Sequence, residues 1–214
     1  MPNAAETDVW LARVFGAPGT AALTAQYDQW AESYEADMSA VGYMNPAVAA
    51  GYVGRHVSDR DGRIMDAGAG TGVMGQILHA MGYRDLAGVD VSEGMLAQAR
   101  ARGVYGDLRN SMLGEPLEYA DESFAAVVCI GVFTVGHAQP TALDELVRIT
   151  RRGGHLIMTI ATRSWEEGGF RAKFAALDQA GRVTLTEVSE PYRPMPLSPL
   201  EGSLTTRMFA YQVT

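Results

Sequence analysis

Lysine is almost missing from this 214-residue chain. Lys173 is the only one, and the 17 basic side chains face 25 acidic ones, for a formal net charge of −8 and a pI near 5.0. No basic run exists; Arg148, Arg151 and Arg152 are the densest cluster, near the C-terminus of a predicted helix, where cations suit the helix dipole. An acidic chain without a basic stripe argues against tight nucleic-acid binding. Cysteine is equally scarce. Cys129 has no partner for an internal disulfide, and its place in the apolar run FAAVVCIGV reads as a buried strand thiol rather than a nucleophile. The four histidines (His56, His79, His137, His155) are scattered, so no metal-ligand spacing appears and no metal is expected. No stretch approaches the roughly 18 apolar residues of a membrane span. The opening MPNAAETDVW lacks the basic segment and apolar core of a signal peptide. The expectation is a cytoplasmic protein with neither nucleic acid nor membrane as partner.

Glycine, by contrast, is plentiful and placed. Residues 63–75 read RIMDAGAGTGVMG: an apolar run stops at Asp66, and Gly68, Gly70 and Gly72 follow within five residues before a helix-like segment. The next apolar run, DLAGVDVS, ends on a lone acid, Asp90. Glycine is needed where backbone turns with positive φ or lies directly against a ligand. Strand, glycine turn and helix N-terminus together make a nucleotide-binding corner, and an acid closing the second strand is placed to accept from ribose hydroxyls. Two cofactor classes use such a corner. Gly70, Gly72 and Gly75 match the dinucleotide pattern G-x-G-x-x-G. Asp66 discriminates: a carboxylate repels a pyrophosphate but attracts the ammonium and sulfonium of S-adenosylmethionine (SAM). An NAD(P)-dependent oxidoreductase is the alternative. It calls for a catalytic Tyr/Lys or an equivalent, and the only lysine lies in a late helix.

The rest of the chain alternates. Residues 1–20 read as a loosely held arm ending in the turn Gly16 to Gly19. Residues 21–57 read as a helical cap: one helix over 21–40, with Tyr27, Trp30, Tyr34 and Met38 on one face, and another with Asn45 as N-cap and Pro46 at its first position. From residue 60 the predicted order is strand RIMDA, helix VMGQILHAM, strand LAGVDV, helix EGMLAQARAR with Ser92 as N-cap, and a short strand VYGD. A turn-rich stretch (109–123) leads to the strand FAAVVCIGV, the helix TALDELVRIT ended by Gly153-Gly154, and the strand HLIMTIA. A helix over 170–180 and the strands VTLTEVS and LTTRMFAYQV close the chain. Strands alternating with helices predict an open α/β, doubly wound parallel sheet covered on both faces. The final strand follows its predecessor without a helix, so it runs antiparallel. Residues 21–214 are thus a single domain.

These landmarks in this order resemble the class I SAM-dependent methyltransferases over about residues 60–214: DAGAGTG, Asp90 in GVDVS, Asp107 in YGDL, FAAVVCIGV, and RRGGHLIM before the fifth strand. The opening YDQWAESYEADM resembles the small Williams–Beuren-region methyltransferase-like group. The class implies a Rossmann-like seven-stranded sheet of order 3-2-1-4-5-7-6 with SAM across the C-terminal strand ends, S-adenosyl-L-homocysteine being the product. Carried onto this chain, it implies that Gly68, Ala69 and Gly70 lie under the methionine part and that Asp66 meets its ammonium. Asp90 takes the ribose hydroxyls, Val91 and Met95 flank the adenine, and Asp107 and the Leu108 N–H meet its edge. Ile130 and Gly131 end the fourth strand beneath the sulfonium. Nucleic-acid amino-methyltransferases often carry N/D-P-P-Y/F where this chain has CIGV, which favours another acceptor.

Methyl transfer needs alignment, exclusion of water and, for an acceptor that carries a proton, a base. His137, in VFTVGHAQP just past the fourth strand, is the candidate base; the other reading is a loop histidine that packs or positions substrate. The Tyr27/Trp30/Tyr34 face either packs as core or forms a lid from which Tyr27 and Tyr34 reach the cofactor. The stretch PYRPMPLSPLEGS is either a stiff connection or a roof over the acceptor, with Tyr192 and Arg193 facing in. Arg163 and Trp165 follow the fifth strand on the same side. The expected acceptor is a small molecule, with a protein-directed methyltransferase as the alternative. The chain is expected as a monomer or homodimer.

Overall fold

The computed structural model describes residues 4–134 and 136–214. Four helices come first: α1 (Ala4–Phe15), α2 (Thr20–Trp30), α3 (Tyr34–Ala40) and α4 (Asn45–His56). Then β1 (Ile64–Ala67), α5 (Val73–Ala80), β2 (Leu86–Asp90), α6 (Glu93–Ala101) and β3 (Asp107–Asn110) alternate. They are followed by β4 (Phe124–Phe133), α7 (Ala142–Ile149), β5 (Thr150–Ala161), α8 (Thr162–Glu167), α9 (Phe170–Gln179), β6 (Val183–Val188) and β7 (Thr206–Val213).

One seven-stranded sheet has the order β3-β2-β1-β4-β5-β7-β6. β1 pairs in parallel with β2 and β4, β2 with β3 and β4 with β5, whereas β7 runs antiparallel to both β5 and β6. Alternate residues of the central strands serve opposite faces. Val127, Cys129, Leu156 and Met158 join the core under α7 and α9, while Ala126, Val128 and Ile157 pack with α4 and α5. Burial on both faces is why these strands read as unbroken apolar runs. Among the described residues, no helix is long and apolar enough to cross a membrane.

Three expectations of local structure are corrected. The supposed loose arm is the helix α1, whose Leu11 and Val14 are buried. It is anchored because the Asp8 carboxylate accepts from Ser198 Oγ and from Leu200 N (3.0 Å), and Thr7 Oγ1 donates to Asp37 O (3.0 Å). The helix expected over 21–40 is two helices: Asp37 Oδ2 accepts from Trp30 Nε1 (2.7 Å) and Ser33 Oγ (2.8 Å), holding the chain in a turn between α2 and α3. The third strand begins at Asp107 rather than ending there. Tyr105 is drawn away to the β1 end, where its hydroxyl donates to Asp66 and accepts from Gly75 N (3.1 Å).

Candidate functional site

The corner forms as its glycines demand. Gly68 has φ +80° and a Cβ there would lie 2.3 Å from a Val132 methyl, so only glycine lets β4 come this close. Gly70 has φ +54° with nothing within 4 Å of its Cβ direction, leaving its backbone open. Asp90, the last residue of β2, holds the loop: Oδ2 accepts from Gly70 N at 2.8 Å and Oδ1 from Ser92 N at 2.9 Å. Burial raises the Asp90 carboxyl above its ordinary value, against the pull of these N–H groups. Each oxygen keeps a spare lone pair.

This corner walls a cavity of about 360 Å³, within the range of roughly 300–1,000 Å³ typical of small-molecule sites. Gly68, Gly70, Asp90, Val91 and Met95 line one side. Ile130 and Gly131 of β4 line another, and Tyr27, Tyr34 and His137 close it from the cap and the loop after β4. Tyr27 Oη lies 2.9 Å from His137 Nε2, and burial raises the Tyr27 phenol, with Asp90 adding to the effect. The aromatic stripe divides between packing and the cavity wall. Trp30 is core at 1% exposed, stacked between Trp10 and Tyr27, while Tyr27 and Tyr34 face the cavity. A smaller chamber of about 60 Å³ lies beneath the cap and shares only Tyr27, Tyr34 and Gly131 with the larger one.

The other expected site residues stand elsewhere. Asp66 is 2% exposed and off the wall; it accepts from Tyr105 Oη at 2.5 Å, and burial pushes its carboxyl up to about 7. Ala69 is buried, its N–H donating to Val89 O at 2.9 Å. Asp107 and Leu108 pair with Ala87 and Gly88, at the opposite end of β3 from the Asp90–Asn110 pairing, so neither reaches the cavity. Asp107 serves an ion cluster instead, with Arg63 at 2.9 Å and Arg109 at 3.0 Å. Burial works against its charge, yet Arg109 holds its carboxyl below the ordinary value. Where the sequence suggested Asp107, the cavity has Ser111, Met112 and Leu113, just past β3. Pairing of Asn110 with Asp90 puts them there, and only the strand register could have revealed them.

Tyr192 lines neither cavity but donates at 2.8 Å to Oδ1 of Asn45, which lines the smaller chamber, and Arg193 is exposed. Of that stretch, Pro194 and Met195 line the smaller chamber. Arg163 is exposed and pairs with Glu167 one helical turn on, at 3.0 Å. Trp165 is partly buried and packs against the core, its ring centroid 4.5 Å from that of Phe209. Cys129 is fully buried in β4, and burial drives its thiol well above the ordinary value, as suits an inert strand residue. Among the described residues no cluster of potential metal ligands occurs.

Comparison with known proteins agrees with this architecture. Residues 65–158 match a family model described as a methyltransferase domain. Human methyltransferase-like protein 27 is 34% identical over 172 residues, covering 78% of this chain and 70% of the relative. A SAM-dependent methyltransferase from Mesorhizobium loti superposes with a TM-score of 0.61 at 17% identity, covering 80% of this chain and 99% of that one. The geranyl diphosphate C-methyltransferase of Streptomyces coelicolor A3(2), solved with Mg2+, geranyl diphosphate and S-adenosyl-L-homocysteine, gives 0.62 at 15% identity, with 85% and 84% covered. At such identities the two structures speak to the fold alone.

Proposed function

This chain belongs to the class I SAM-dependent methyltransferases, and on that premise we propose that it methylates a small-molecule acceptor. The observation that carries the reading is the small size of the space beside the larger cavity. The cap helices and the segment around Pro194 and Met195 line a chamber of about 60 Å³ that meets the large cavity at Tyr27, Tyr34 and Gly131. Such a space admits a small group and excludes a folded surface.

The residues present fit the cofactor. The open backbone at Gly70 offers a cradle, and Asp90 has acceptor capacity left for two ribose hydroxyls. Val91, Met95 and Met112 offer apolar faces for a purine. SAM supplies an activated methyl group on a sulfonium. The protein's part is to align the acceptor with that group, keep water out and take the acceptor's proton. Tyr27 lines both cavities whereas His137 lines only the larger one. The acceptor's proton therefore passes to Tyr27 Oη as Tyr27 gives its own to His137 Nε2, 2.9 Å away.

The test is to incubate the protein with methyl-labelled SAM and cell extract, then separate low-molecular-weight compounds from macromolecules. Label in the small-molecule fraction is the expected result; label confined to proteins would sink the reading. With the acceptor identified, His137→Ala and Tyr27→Phe each lower kcat by about 10²-fold or more. A loss below about tenfold would leave the pair a positioning device.

A further inference from the structure

The smaller chamber differs chemically from the cavity beside it. Among the described residues of its wall there is no aspartate, glutamate, lysine, arginine or histidine. Its rings include three phenols, and burial keeps each of them neutral, with Tyr43 pushed up to about 12. A carboxylate or phosphate brought here would lose its water and find no cation, which disfavours anionic acceptors strongly.

Two further features mark the chamber as built to receive something. Gly131, on the boundary between the two spaces, has φ +77°, and a Cβ there would lie 2.5 Å from Tyr43 Oη. Glycine is thus what lets this phenol stand at the boundary. Thr134 lines the chamber, and its buried Oγ1 has no hydrogen-bond partner among the described residues. Buried hydroxyls are seldom left unpaired, so one on a cavity wall points to a polar group of a ligand.

We propose that this chamber receives the reacting end of the methyl acceptor, and that this end is an uncharged hydroxyl on an apolar frame, hydrogen-bonded to Thr134 Oγ1. The proposal rests on the larger cavity being the SAM site. A hydroxyl is the group that needs the proton route at Tyr27, and the hydroxyls of Thr134 and Tyr27 can both donate to and accept from it. The volume of about 60 Å³ suits a fragment of a few non-hydrogen atoms.

The experiment is calorimetric. The full chain is first titrated with S-adenosyl-L-homocysteine, and the loaded protein is then titrated with phenol, or with benzoate as its anionic counterpart. Phenol is expected to bind, and benzoate to bind at least about tenfold more weakly. Thr134→Val keeps the shape and removes the hydroxyl. It should weaken phenol about fivefold and leave S-adenosyl-L-homocysteine affinity within about twofold. No binding of phenol, benzoate binding as well as phenol, or an unchanged phenol affinity in Thr134→Val each overturns the proposal. Failure of S-adenosyl-L-homocysteine to bind appears in the first titration, before any probe is added. It would overturn the reading of the larger cavity on which this one rests.

Discussion

Asp28 Oδ1 accepts a hydrogen bond of 2.6 Å from Ser92 Oγ and another of 2.9 Å from Gly94 N. A side chain of the cap thus stands at the N-terminus of α6, the helix that brings Met95 to the cavity wall. Ser92 in turn caps α6 through Met95 N at 3.1 Å. One carboxylate joins the cap to the wall of the larger cavity, and the helix dipole favours its charge there.

Asp28→Ala should therefore weaken S-adenosyl-L-homocysteine binding several-fold although Asp28 does not line the cavity. It should also lower stability by about 1–2 kcal/mol. Calorimetry and thermal denaturation of one variant report both. Unchanged affinity would mean that the cap contributes nothing to cofactor retention.

Gly94 makes this docking possible. A Cβ there would meet Asp28 O at 2.9 Å and Asp28 Cα at 3.0 Å. Gly94→Ala must push α2 away, with an expected cost of about 1–3 kcal/mol in urea denaturation. A midpoint equal to that of the parent protein would show that the contact yields freely.

Two acids flagged in the sequence should behave oppositely. Asp90→Ala should reduce S-adenosyl-L-homocysteine affinity by about tenfold or more, since it removes the proposed ribose acceptor and frees Gly70 N. Asp107→Ala should leave that affinity within about twofold and cost only about 1 kcal/mol of stability, its ion pairs being part-exposed. A reversed result would put the adenosine end at the wrong edge of the sheet.

Asp66 carries a pH signature. Its carboxyl rises from 3.8 to about 7 in the folded protein through burial, so the native state holds that proton more tightly than the unfolded chain. Stability from this group is full below about pH 4 and falls as pH rises towards 7. Asp59, Asp107, Glu145 and Glu187 are shifted downwards, so their contributions change only in more acid solution. Asp66→Asn keeps an acceptor for Tyr105. It should flatten the decline of Tm between about pH 4.5 and 7.5 relative to the parent, a comparison that cancels the upward shift of Asp90. Parallel Tm profiles would show that Asp66 is ionised throughout.

Much of this molecule is legible in one dimension. The glycine corner at Gly68 and Gly70, Asp90 at the end of β2, Val91 and Met95 after it, and the Ile130–Gly131 end of β4 all stand on the cavity wall. Gly68, Gly70 and Asp90 could be read because each belongs to a local pattern, a strand followed by a turn or ended by an acid, whereas Val91, Met95, Ile130 and Gly131 followed from the family resemblance. Tyr27 and Tyr34 came from helical spacing, but spacing could not say which ring of the stripe packs and which faces a ligand.

The remainder depended on partners far away in sequence. Tyr105 draws the chain off to Asp66, 39 residues away, and so moves the start of β3 to Asp107. Asp8 captures Ser198 across 190 residues and turns an expected loose arm into a packed helix. Tyr27 meets His137 across 110 residues. The sequence by itself determined the alternation of strands and helices, the corner and the acid after it, because hydrophobic period and backbone freedom are properties of neighbouring residues. Only the tertiary structure decided which hydroxyls and carboxylates share a wall and how large a space they enclose. Those are set by strand register and helix docking, where one long-range hydrogen bond can move a residue from one end of the sheet to the other.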